Sequence, residues 1–164
     1  PGGAIVFAEG GTGRLLMLEG GEARVVGSGL EKPAGVAVDA DGTIYVSEAG
    51  AGRVVKLQGG KWDCVIDGLG KPEGIALHGG CLYVVDQAMR ELIEVELASG
   101  KRRTIAAGLP LGSAKGQRPP MGPAGPFTGP LIPFAGLAAA PDGTLVLGAD
   151  GNGSVIAFHP PAAS

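Results

Sequence analysis

An internal repeat of about 39 residues is the feature that most restricts the folds open to this 164-residue chain. Three copies begin at Pro33, Pro72 and Phe134, and a partial copy begins at Ala4. One glycine marks the same position in each of the three longer copies: Gly35, Gly74 and Gly136. A unit that recurs at a fixed period is typical of solenoids, propellers and arrays of repeats.

An acidic residue also recurs, and it aligns the partial copy with the other three. Spacings of 39, 38 and 64 residues separate its four occurrences, which are Glu9, Glu48, Asp86 and Asp150. The last spacing is longer because a proline-rich insert over residues 110–133 interrupts the repeat. Prolines at this density exclude a helix or a central strand, so we predict a loop that emerges on the same rim as the acidic residues.

Each repeat contains four short apolar runs divided by glycine-rich turns. In the copy that begins at Pro33, the runs 35–38 and 43–47 are followed by the runs 53–57 and 61–66. An Asp-Gly turn between the first two runs is typical of a hairpin. Four antiparallel strands per repeat predict an all-β fold, a β-propeller of four-stranded blades. A sandwich or jelly roll also has many short strands, but neither requires one unit to recur in register.

The repeat predicts a single domain over residues 1–164 that covers about three and a half propeller blades. Its parts are an incomplete blade (1–30), two blades (31–70 and 71–109), the insert loop (110–133) and a second incomplete blade (134–164). An open ring leaves blade faces and strand edges uncovered. We therefore expect either a fragment of a ring of about six blades or a homo-oligomer in which chains complete the ring together.

Charge and hydropathy argue against two classes of partner. The net charge is −3 and the 13 lysines and arginines are spread along the chain, so we predict no nucleic-acid partner. No apolar run of roughly eighteen residues and no signal-peptide pattern is present, which predicts a soluble chain without a membrane partner and leaves its compartment open. Cys64 and Cys81 lack metal-ligand spacing and are predicted to be two buried thiols rather than a disulfide.

The segments PAGVAVDADGTIYVSEAGAGRVVKL from Pro33 and PEGIALHGGCLYVVDQAMRELIEVEL from Pro72 resemble NHL repeats. More broadly they are similar to the six-bladed superfamily of gluconolactonase, regucalcin and strictosidine synthase. The resemblance implies a propeller. Lactonases of that superfamily hold a divalent metal at the channel mouth with acidic and Asn side chains. The resemblance therefore also implies such a metal. One such Asn stands in a P-x-G position, which here holds Ala34, Glu73 and Ala135, so among these only Glu73 is a candidate ligand.

Antiparallel strand order places five carboxylates towards one rim of the propeller: Glu9, Glu48, Glu73, Asp86 and Asp150. Calcium takes six to eight oxygen ligands, so a divalent cation such as calcium is one interpretation, with Glu73, Asp150, Asp86 and Glu48 as its ligands. The other interpretation is structural. Arg14, Arg53 and Arg90 follow three of the acids by four or five residues, and each acid then pairs with its own arginine and accepts turn N–H groups.

The candidate ligand-binding residues combine this rim with the insert. Glu73 replaces alanine at a channel-lining position. Asp150 lies beside Asn152 in the turn whose polar side chains have the fewest predicted partners. In the insert, Arg118 and Phe127 are the residues that we expect to set specificity. The two histidines, His78 and His159, are predicted to be solvated, with His78 on the face opposite the carboxylates.

Three functions follow from these patterns. The first is an NHL-type propeller that binds a small ligand or a protein partner at the channel mouth without covalent chemistry. The second is a divalent-metal-dependent hydrolase of the gluconolactonase type, in which a metal-bound water is the nucleophile. The third is a structural role, in which half-propellers assemble through their exposed blade edges. No serine or cysteine has a histidine partner in register, so the sequence gives little support to nucleophilic catalysis.

Overall fold

The computed structural model describes residues 3–112 and 134–160, and this part of the chain consists of strands and turns. The strands of the first half are β1 (Ile5–Glu9), β2 (Arg14–Glu19), β3 (Glu22–Gly27), β4 (Pro33–Val38), β5 (Ile44–Glu48), β6 (Arg53–Gln58) and β7 (Lys61–Ile66). Those of the second half are β8 (Pro72–His78), β9 (Cys81–Asp86), β10 (Glu91–Glu96), β11 (Arg102–Ala106), β12 (Leu137–Ala139), β13 (Leu145–Ala149) and β14 (Ser154–Phe158).

These strands form four antiparallel sheets in which sequence neighbours pair. Blade 1 is β1-β2-β3, blade 2 is β4-β5-β6-β7, blade 3 is β8-β9-β10-β11 and blade 4 is β12-β13-β14. The predicted all-β fold, a partial β-propeller of antiparallel blades, is confirmed. The inner strands β4 and β8 lie against each other, and β8 also lies against β12.

The apolar side chains form three layers, each between two successive blades. Strand alternation sends neighbouring residues to opposite faces of a sheet. Val46 therefore packs towards blade 1, in a layer with Leu15, whereas Tyr45 packs towards blade 3, in a layer with Val84. The third layer joins Tyr83 of blade 3 to residues of blade 4. Each blade thus depends on a neighbour to cover its apolar faces.

Strand register corrects the predicted alignment of the acidic residues. The residue after the repeated glycine pairs with the residue two positions before the acid, as in Val36 with Val46 of blade 2. In blade 4 the equivalent pair is Leu137 with Leu147, which places Ala149 at the acidic position. Asp150 is therefore one residue out of register. The prediction was wrong because it matched acid to acid, whereas the apolar pattern of the strands sets the register.

Close approach of the inner strands explains two of the repeated glycines. A Cβ atom on Gly35 would lie 2.3 Å from the carbonyl oxygen of Glu73, and one on Gly74 would lie 2.5 Å from that of Ala135. The hydroxyl of Ser47 bridges the same seam, since it accepts the N–H of Gly35 at 2.7 Å and donates to the oxygen of Glu73 at 2.6 Å. Only a glycine leaves the room that these backbone contacts need.

The two cysteines and the expectation of no membrane-spanning segment can also be compared with the structure. Cys64 and Cys81 are both free, as predicted, but Cys64 is exposed because β7 is the outer strand of its blade. The expectation of two buried thiols was wrong, since Cys64 is exposed and Cys81 is only partly buried. Within the described residues, none belongs to a helix of the length and apolarity needed to cross a lipid bilayer.

Replacing Gly35 with alanine tests the seam between blades 2 and 3. The added methyl group would overlap the backbone oxygen of Glu73, so we expect Gly35→Ala to lower the free energy of unfolding by about 1–3 kcal/mol. Gly11→Ala is the matched control, because Gly11 has open space around it and an ordinary backbone conformation. Equal denaturant midpoints for the two variants would show that the seam is wrongly placed.

Candidate functional site

Glu48 and Asp86 hold the connections that enter their blades. Glu48 is fully buried, and its carboxylate accepts the N–H of Glu31 at 2.7 Å and the Nε of Arg53 at 2.6 Å. Asp86 accepts the N–H groups of Gly70 at 2.6 Å and of Lys71 at 2.9 Å. Each acid therefore fastens the chain that arrives from the preceding blade.

The predicted arginine partners are found for two of the three acids. Arg14 pairs with Glu9 and Arg53 pairs with Glu48. The hydroxyl of Thr12, followed by the guanidinium of Arg14, lowers the pKa of Glu9. The third pair was predicted wrongly, because Arg90 donates instead to the carbonyl of Leu109 at 2.8 Å.

The backbone explains why Arg90 breaks the pattern. Arg90 has a positive φ of 59°, as Gly52 has at the same point of the turn in blade 2. It therefore occupies the glycine position of the turn, and Glu91 occupies the position of Arg53. Asp86 accepts the N–H of Met89 at 3.1 Å and keeps a structural role without an arginine.

Four polar side chains from blades 3 and 4 form one connected group, which we call the rim network: Lys71, Glu73, Gln87 and Asp150. The ammonium of Lys71 lies 2.7 Å from Oε1 of Glu73 and donates to Oε1 of Gln87 at 2.7 Å. The amide of Gln87 donates to Oδ2 of Asp150 at 2.8 Å. Glu73 is only 3% exposed, whereas the side chain of Lys71 is 35% exposed. The network therefore runs from a buried carboxylate to the surface.

The two carboxylates of the rim network also hold the backbone on either side of the insert. Oδ1 of Asp150 accepts the N–H of Gly112 at 2.9 Å, and Oε2 of Glu73 accepts the N–H of Ala135 at 2.7 Å. Asp150 thus performs for blade 4 the task that Asp86 performs for blade 3. Ala149, at the acidic position of blade 4, has no acceptor side chain. Asp150, one residue later, supplies the acceptor instead.

Asn152, another predicted ligand residue, is not part of this network. Asn152 is exposed, and its side-chain oxygen accepts the N–H of Ser154 at 3.0 Å and the hydroxyl of Ser154 at 2.7 Å, so it caps its own turn. Arg118 and Phe127 lie outside the described residues, as does most of the insert. Lys71 and Gln87 were missed by the sequence reasoning. A lysine recurs before the proline that opens an inner strand, at Lys32 and Lys71, and this recurrence is the signal that could have found Lys71.

The predicted metal ligands already have hydrogen-bond partners within the protein. Glu48, Glu73 and Asp150 each use both carboxylate oxygens to accept hydrogen bonds or to pair with a cation. In residues 3–112 and 134–160, no three histidine, cysteine, aspartate or glutamate side chains gather as a metal site. The assignment of a divalent cation to these acids stays a prediction.

A second polar region lies on the opposite side of blades 3 and 4. It is a cleft of about 790 Å³ whose walls include His78, Tyr83, Glu94, Arg103 and His159. The equivalent cleft between blades 2 and 3 has a volume of about 180 Å³. The larger cleft lies beside blade 4, which shows three strands in the described part of the chain where blade 3 has four.

A charged row across blade 3 forms one wall of this cleft. The guanidinium of Arg103 donates to both carboxylate oxygens of Glu94, at 2.7 and 3.0 Å. Burial, and then the negative charge of Glu94, raise the pKa of Tyr83 to about 12. Burial also raises the pKa of the Cys81 thiol. His159 is exposed, with Nδ1 3.1 Å from the hydroxyl of Thr144, and His78 is partly buried.

Comparison with known proteins identifies the class of fold. A family model described as the NHL repeat matches residues 30–57. The nidogen/laminin complex contains a chain of similar structure, with a TM-score of 0.65, 20% identity, and coverage of 87% of this chain and 51% of that chain. The chain is an NHL-type β-propeller in its fold.

Two structures of virginiamycin B lyase from Staphylococcus aureus are also similar. The selenomethionine-substituted protein has a TM-score of 0.64 at 13% identity, and covers 98% of this chain with 53% of its own. The catalytically inactive H270A protein with quinupristin has a TM-score of 0.64 at 14% identity, with coverage of 99% and 54%. This chain therefore spans about half the length of these proteins, and at such identities the likeness is one of fold. No curated protein sequence matches the chain significantly.

Replacing Asp86 with asparagine tests the anchoring of the blade connection. Asparagine has one acceptor oxygen where the carboxylate has two, so N–H groups of Gly70, Lys71 or Met89 would lose their partner. We expect Asp86→Asn to lower the free energy of unfolding by about 1–3 kcal/mol. Asp63→Asn, at an exposed position, is the control. An unchanged denaturant midpoint for Asp86→Asn would contradict the anchoring role.

The raised pKa of Tyr83 predicts a loss of stability in alkali. The folded chain holds the phenolic proton up to about pH 12, whereas the ordinary pKa is 10.0. The contribution of Tyr83 to the free energy of unfolding is complete below pH 10. It is lost as the pH rises towards 12, because the unfolded chain then releases the phenolic proton first. We expect denaturant midpoints measured at pH 9, 10 and 11 to fall more steeply for the natural chain than for Tyr83→Phe. Parallel curves would refute the assignment.

Proposed function

We propose that this chain is a binding module of the NHL-propeller type, which holds a small molecule or a protein partner at the channel mouth without covalent chemistry. The observation that carries the proposal is the rim network of Lys71, Glu73, Gln87 and Asp150. It places charged and amide groups of two blades in fixed positions at the rim, with one end reaching the surface. Ligand sites typically contain a few polar groups in fixed positions that orient the ligand.

Lys71 is the group through which a ligand would be held. An ammonium has three N–H donors, and two of them are directed to Glu73 and Gln87. The third has no protein acceptor among the described residues. A carbonyl or carboxylate oxygen of a ligand would meet this donor, while Gln87 and Asp150 orient the ammonium from the neighbouring side.

The carboxylates of the network favour binding over metal-assisted hydrolysis. Glu73 and Asp150 each accept a backbone N–H, so recruiting them as metal ligands would release Ala135 or Gly112 from its hydrogen bond. An unmade backbone hydrogen bond in a buried setting is costly. Among the similar structures, one chain comes from a complex of nidogen and laminin, and a virginiamycin B lyase was solved with quinupristin. Both a protein and a small-molecule partner are therefore compatible with this fold.

Replacing the lysines at equivalent positions of two blades tests the proposal. Lys71 and Lys32 both precede a proline that opens an inner strand, but only Lys71 belongs to the rim network. We would screen a panel of small carboxylic acids and amides by ligand-observed NMR, and measure the dissociation constant of each compound that binds. For Lys71→Met we expect affinities to fall about tenfold or more, and for Lys32→Met to stay the same.

Three results would contradict this function. The first is a panel in which no compound binds, and the second is an unchanged dissociation constant for Lys71→Met, measured at a temperature at which that variant is folded. The third is hydrolysis of glucono-lactone that requires added calcium or zinc, which would favour the hydrolase instead. Calcium titrated alone serves as the metal control, and we expect it to leave the melting temperature of the chain unchanged.

A further inference from the structure

The charges of the rim network are unequal, and negative charge is in surplus. The ammonium of Lys71 lies 2.7 Å from Oε1 of Glu73, so these two charges balance, and Gln87 is uncharged. Asp150 accepts the amide of Gln87 at 2.8 Å and adds a carboxylate that no cation of the network balances. The potential of a binding surface is complementary to that of its ligand. The surplus therefore favours a cationic ligand over an anionic one.

The residues around the network keep this surplus. In blade 2, Arg53 stands across the turn from Glu48 and pairs with it at 2.6 Å. The same position of blade 4 holds Ser154, which has no charge. Blade 3 contributes Asp86, and Arg90 four residues later, and these two charges are of opposite sign. Among the described rim residues of blades 3 and 4, the negative charge of Asp150 is thus left over.

An exposed aromatic ring lies beside the same network. Phe134 is 49% exposed, and its Cε1 is 3.6 Å from the place that a Cβ on Gly136 would take, so the ring lies along its own strand. The next residue, Ala135, donates its N–H to Glu73 at 2.7 Å, which brings Phe134 to the network. The face of an aromatic ring attracts cations. This observation is independent of the charges and indicates the same class of ligand.

We propose that the rim network selects uncharged carbonyl compounds that also carry a cation, such as amides with a primary or quaternary ammonium group. This inference rests on the proposed function, because it names the class of ligand that the same site takes. The carbonyl oxygen accepts the remaining N–H of Lys71, while the cation lies in the field of Asp150 and over the ring of Phe134. A carboxylic acid offers a similar acceptor but adds negative charge where it is already in surplus.

Three amides of nearly the same size test the sign of this preference. They are β-alaninamide, which is cationic, butyramide, which is uncharged, and succinamate, which is anionic. We expect ligand-observed NMR to give affinities in that order. The cation should bind about fivefold more tightly than the anion, as one surplus charge at about 8 Å in water implies. In about 1 M salt this ratio should approach one, because the Debye length falls to about 3 Å.

Two substitutions separate the sources of the preference. Asp150→Asn removes the surplus charge and keeps an acceptor oxygen, so we expect cation and anion to bind within about twofold of each other. Asp142→Asn removes an exposed charge from the opposite side of blade 4 and should leave their ratio unchanged. Phe134→Leu should reduce the advantage of β-alaninamide over butyramide by about twofold or more. Phe7→Leu, at an exposed phenylalanine of blade 1, is the matched control.

The outcomes distinguish this inference from the proposed function. If succinamate binds at low salt as tightly as β-alaninamide, or if carboxylic acids bind and none of the three amides does, the inference fails and the proposed function stands. A cation preference that persists in about 1 M salt also overturns the inference, and this measurement needs no substitution, so it holds even where Asp150→Asn does not fold. If no amide and no carboxylic acid binds, the proposed function fails together with the inference.

Discussion

Packing of one blade on the next is the interaction on which the rest of this structure depends. A single sheet of three or four strands carries apolar side chains on both faces, and alone it cannot bury either of them. The three apolar layers between successive blades solve this problem in the same way each time, with Val46 and Val84 directed backwards and Tyr45 and Tyr83 directed forwards. The spacing of these layers also brings the inner strands close enough to require Gly35 and Gly74.

Carboxylates at the blade connections are the second constraint, because they fasten the connections that the apolar layers leave at the rim. A connection that enters a blade arrives with N–H groups that no strand pairs, and Glu48, Asp86 and Asp150 accept them. Removing such an acceptor leaves a donor without a partner, which costs more than the hydrogen bond itself contributes. This need accounts for acidic residues at the rim without any reference to a metal.

The side chains of the rim network, where we propose that a ligand binds, also have a structural task. Glu73 is buried and needs the ammonium of Lys71, since a buried charge without a partner is strongly destabilising. The same ammonium is 35% exposed and is held by Gln87, which in turn reaches Asp150 on the next blade. Polar groups that the fold has already ordered lose little entropy when a ligand arrives. The fixed positions of these polar groups, on which the proposed binding site depends, are thus a consequence of how the blade connections are fastened.

The sequence by itself determined the repeat, the antiparallel blades and the glycines of the inner strands, because strand alternation and turn chemistry depend on residues close together in the chain. It also contained the correct register of blade 4: thirteen residues separate Gly35 from Glu48, and the same count from Gly136 reaches Ala149. Only the tertiary structure decided which polar groups meet. Gln87 contacts Asp150 across 63 residues and Glu73 contacts Ala135 across 62, and these pairs form because stacked blades bring distant connections to one rim.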